Sequence, residues 1–137
     1  MVLRDVKGKI IFSSCRVLFP CREALEAELC VCMEGLSFAL QRSDLPIIIE
    51  MDSIVAVKLI QGREEDRSIY ASLIKEIRHL LSLRDSCITH VNHTQNNVSD
   101  SLAKFARGEG RTITWLGSGP EVALSLAFDD CKDLVIE

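Results

Sequence analysis

Three carboxylates stand at positions where an acid needs a reason. Across 22–41, Leu25, Leu29, Cys32, Leu36 and Ala39 recur at helical spacing, and Glu28 falls inside that apolar stripe while Glu23 and Glu26 fall opposite it. An acid on a core-facing surface is costly unless it is paired, protonated or bound to a cation. Emergence at the edge of a sheet and pairing with a Lys or Arg both stay open for Glu28. Asp52 follows Ile47-Ile48-Ile49-Glu50-Met51. Strand alternation puts Ile47, Ile49 and Met51 on one face and Ile48, Glu50 and Asp52 on the other. Asp52 is therefore expected at the carboxyl end of a buried strand, where open α/β sheets place ligands. A helix N-cap at Asp52 or Ser53 explains the same residues equally well. Asp100 lies one turn after Asn96 on the same face at the start of a helix, a place where the dipole favours acids in any case.

Taken together, a helix-borne Glu, a strand-end Asp and an Asp on a later helix suit hard divalent cations, which prefer oxygen ligands and keep positions open for water and phosphate. The chemistry such a site performs is hydrolysis of a phosphodiester. Without cations, clustered carboxylates would repel that substrate.

The elements that must position these acids are legible in the periodicity. Val2–Asp5 and Lys9–Leu18 read as two strands joined by a turn at Val6–Lys9, the second with Ile10 and Phe12 on one side and Ile11, Ser13 and Cys15 on the other. Arg22 to about Gln41 is a long helix rich in Ala, Leu and Glu. Leu45–Met51 reads as a strand buried on both faces, and Ser53–Ile60 as a short helix. Arg67–Leu83 is amphipathic, with Ile69, Tyr70, Leu73, Ile74, Ile77, Leu80 and Leu81 at three-and-four spacing. The basic residues Lys75, Arg78 and Arg84 read as a solvated face, with phosphate contact as the alternative. Ser86–Val91 is a further strand. Asn97–Ala106 is a helix with Val98, Leu102, Phe105 and Ala106 inward, stopped by Gly108 and Gly110. Two antiparallel strands followed by alternating helices and strands predict an α/β fold, a three-layer α/β/α domain around a mixed sheet.

Composition narrows the function classes. The 137 residues are 47 % hydrophobic, so a packed core is within reach, and the net charge of −4 provides no broad basic field for indiscriminate nucleic-acid binding. Any such binding must be local or bridged by metal. No apolar run approaches the ~20 residues of a membrane span, and the charged start MVLRDVKGKIIF lacks a signal-peptide layout. An intracellular location, cytoplasmic or nuclear, is the expectation. The six cysteines form no C-x-x-C pair and read as reduced core thiols.

Four stretches carry a resemblance: VLRDVKGKIIFSS, REALEAELCVCMEGLSFAL, PIIIEMDSIVAVKLI and ITHVNHTQNNVSDSLAKFA. In that order they resemble a ribonuclease H type 1 domain, and in particular its retroelement-derived, reverse-transcriptase-like branch abundant in plants. The resemblance covers residues 1–107 and implies a ribonuclease H-like domain there, with 108–137 as a C-terminal tail partly packed on it. It implies cutting of the RNA strand of RNA–DNA hybrids with two Mg²⁺ or Mn²⁺ ions, leaving 3′-hydroxyl and 5′-phosphate ends. By the same resemblance Glu28, Asp52 and Asp100 are the catalytic, metal-holding acids, and Asn96, His93 and Ser53 contact nucleic acid. His93 read by itself is an exposed loop residue. A monomer is expected.

The resemblance also implies that the family's first strand, which is central in the sheet and carries the first catalytic Asp, is missing from this sequence. Impaired activity follows as an expectation, because Asp5 falls at a different, non-catalytic family position. Three consequences stay open for the fold: strands paired differently, a sheet with a gap, or a sequence that is a truncated form of a longer protein. The alternative function is a non-catalytic nucleic-acid-binding or protein-interaction module on the same scaffold; a non-functional gene fragment is the third.

Overall fold

The structure, a computed structural model, describes residues 2–5, 7, 9–15, 23–63, 68–92, 97–110, 113–117 and 120–121. Their element order is β1 (Val2–Arg4), β2 (Ile10–Cys15), α1 (Ala24–Arg42), β3 (Ile47–Met51), α2 (Ile54–Gln61), α3 (Ala71–Ser82), β4 (Ser86–His90), α4 (Asn97–Glu109) and β5 (Ile113–Leu116). The α/β class is as expected. The described strands form two sheets, an antiparallel one ordered β1-β2-β5 and a parallel pair β3-β4. The chain divides into two compact units, 1–18 with 94–137, and 19–93.

In the unit 19–93, α1 forms because a run of good helix formers places an apolar residue every three or four positions. Leu29, Cys32, Leu36 and Ala39 are buried along that stripe. Its C-terminal carbonyls are satisfied in part by Arg84, which donates to Leu40 O at 3.3 Å and to Ser43 O, and lies 3.8 Å from the Asp44 carboxylate. The α2 sequence IVAVKLIQ is rich in β-branched residues, which are mediocre helix formers. It is helical because Ser53 caps it, Oγ accepting from Ala56 N at 3.3 Å, and because Ala56, Val57 and Ile60 are buried. Its last carbonyls are held by Arg78, which donates to Leu59 O at 2.6 Å and Ile60 O at 3.0 Å. Gln61 donates to Ile88 O at 2.8 Å and so ties the end of α2 to β4. Arg78 and Arg84 are therefore engaged with backbone. Ile74 and Ile77 of α3 are fully buried, and α3 packs on α1.

The parallel register runs Ile47↔Ser86 to Met51↔His90. Ile47 is buried; Met51 is buried and Ile49 half-buried in the core that Leu29, Ala56, Val57, Ile60, Ile74 and Ile77 share. Ile48 is 69 % exposed. The expectation of burial on both faces is thus corrected: the helices of this unit cover one face of the strand pair, and the period of two sends Ile48 and Glu50 to the other. Ile69 is likewise exposed, because α3 begins after it, at Ala71. Cys87 is exposed as well, so it is not a core thiol, whereas Cys32 is buried.

In the other unit, β1 and β2 are joined at a turn organised by Asp5. Its Oδ1 accepts from Lys7 N and Lys9 N, both at 2.9 Å, and its own N–H donates to Lys9 O at 3.0 Å. Asp5 is a turn residue. Val98, Leu102 and Ala106 are buried on one face of α4, which packs on β2. The helix runs through Gly108 and stops at Gly110, whose positive φ of 65° and N–H bond to Ala106 O form the left-handed end that glycine tolerates. The strand β5 had no counterpart in the periodicity reading. It pairs antiparallel with β2 from Phe12↔Leu116 to Cys15↔Ile113.

Candidate metal centre

Glu28 lies in the second turn of α1, one position before the fully buried Leu29, and is half-buried. Burial raises its pKa above the ordinary 4.5, because an ionised carboxylate loses hydration there, and the charge of Asp52 raises it further. Among the described residues no Lys or Arg forms a salt bridge with Glu28. The positive charge of the chain's amino terminus offsets part of the rise.

Asp52 is half-buried directly after β3. The N-cap of α2 is Ser53, not Asp52. The capping explanation thus passes to the neighbouring hydroxyl, and the carboxylate of Asp52 bears on Glu28 instead. Two acids 24 positions apart in sequence are brought into each other's field by α1 packing on β3 and α2.

Cys32, one helical turn beyond Glu28, belongs to the same surroundings. Burial first and the Glu28 charge second push its thiol up to about 12, so it is a protonated, inert thiol at neutral pH. The i, i+4 spacing on the apolar stripe signals this neighbourhood in the sequence, although the cysteine reads there only as a core residue.

Asp100 occupies the first turn of α4 by its backbone, as its placement at a helix start requires, and its side chain lies outside the described residues. His93 and Asn96 also lie outside them. Ser53 is described, and its Oγ accepts the α2 cap bond from Ala56 N. Among the described residues no group of three or more His, Cys, Asp or Glu side chains is placed to hold a metal ion. The described contribution is the Glu28–Asp52 pair: two oxygen donors of like charge with no added cationic side chain on Glu28. That donor chemistry fits Mg²⁺, which is commonly held by one or two carboxylates together with waters and substrate phosphates.

No helix of the described residues is long and apolar enough to cross a membrane. Comparison with curated proteins and with solved structures gives no significant match. A family model described as reverse transcriptase-like matches residues 1–106, a span that holds β1 to β4, α1 to α3, most of α4 and every candidate acid. The chain belongs to the reverse transcriptase-like family of ribonuclease H-like domains.

Proposed function

We propose that this chain is a nucleic-acid-binding domain whose ancestral chemistry is divalent-metal-dependent hydrolysis of the RNA strand of RNA–DNA hybrids. The observation that supports this reading is the Glu28–Asp52 pair, in which a half-buried carboxylate has its ionisation opposed by burial and by a second carboxylate. Such a pair is destabilising as it stands and is relieved by a cation. Glu28 and Asp52 would hold Mg²⁺ or Mn²⁺, with Asp100 as the third acid of the family pattern. Bound divalent ions supply Lewis-acid activation of phosphate and of water. The protein's own part is orientation. Asp52 stands at the end of a hydrogen-bonded strand and just before a capped helix, so its carboxylate is positioned by backbone on both sides. Glu28 is positioned by the buried stripe of α1. His93, Asn96 and Ser53 are the proposed nucleic-acid contacts.

The test is cleavage of a labelled RNA–DNA hybrid in Mg²⁺ or Mn²⁺ by the wild-type chain, Asp52→Asn and Glu28→Gln, each checked for folding by circular dichroism. Metal-dependent cleavage lost in both variants supports the proposal. Cleavage that survives Asp52→Asn overturns the assignment of the metal site. Hybrid binding without cleavage by the wild type favours the second reading, a non-catalytic binding module.

A further inference from the structure

We draw no further inference here: the strongest candidate, the exposed face of the β3–β4 sheet where Ile48 stands opposite Cys87, carries nothing because nothing in the structure shows what covers it.

Discussion

The Asp52 carboxylate at the end of β3 acts on the Glu28 carboxylate in the second turn of α1, and with burial it holds the Glu28 pKa above 4.5. A raised carboxylate pKa means that the folded state binds the proton more tightly than the unfolded chain. The contribution of Glu28 to stability is therefore intact below pH 4.5 and is lost as pH rises through the folded pKa. Glu28→Gln should accordingly raise the thermal midpoint at pH 7, and the gain should vanish as pH falls below 4.5. Asp52→Asn should bring the Glu28 pKa down without restoring the ordinary value, because burial is the larger cause. Carboxyl-carbon NMR titration of the two proteins reads this directly; an unchanged Glu28 midpoint would break the coupling.

Divalent metal should stabilise the folded chain through the same pair. At free Mg²⁺ or Mn²⁺ tenfold above its Kd, linkage adds about 1.4 kcal/mol to unfolding. Asp52→Asn should abolish the metal-dependent rise in melting temperature while metal-free melting stays cooperative. Equal metal responses in the two proteins would place the ions elsewhere.

The Ser53 cap carries an unusual share of the stability of α2. The helix has 8 residues and four β-branched side chains among them, so its intrinsic tendency to form is low. Ser53→Ala should cost ~1 kcal/mol in urea unfolding, and Ser53→Asp should retain most of that. A neutral Ser53→Ala would mean that burial of Ala56, Val57 and Ile60 alone forms the helix.

Burial in the unit 19–93 makes a sharp contrast between two large aliphatics. Leu29 is fully buried, and Leu29→Ala should cost ~2–5 kcal/mol through lost transfer energy and a residual cavity. Ile48, most of its surface in solvent, should tolerate Ile48→Thr within about 0.5 kcal/mol. Denaturant titration of both variants checks the pair; a large loss at Ile48 would show that its face is covered in solution.

The boundaries of the helices and strands were largely legible in the sequence. The α1 stripe through Leu29, Cys32, Leu36 and Ala39 is buried as its spacing requires, and β4 and α2 fall within a residue or so of their expected limits. The departures have local causes. Gly110 stops α4 as read, but Ile69 and the last turn of α4, which runs past Ala106 to Glu109, were misread because periodicity marks a face, whereas a terminus depends on caps and backbone angles. Strand β5 was missed because ITWL is short and makes sense only against β2, a pairing about 100 residues away in sequence.

The sequence by itself determined which side chains could do chemistry: an acid on an apolar helix face, an acid after an isoleucine run, and an acid at a helix start are all visible in periods of 3.6 and 2. Tertiary structure decided what surrounds them. Only the packing of α1 against β3 and α2 sets the Asp52 charge against Glu28; the choice of Ser53 over Asp52 as cap and the exposure of Ile48 are likewise seen only in the structure. The reason is physical: periodicity is a property of one element, whereas electrostatic coupling and burial belong to groups that meet in space.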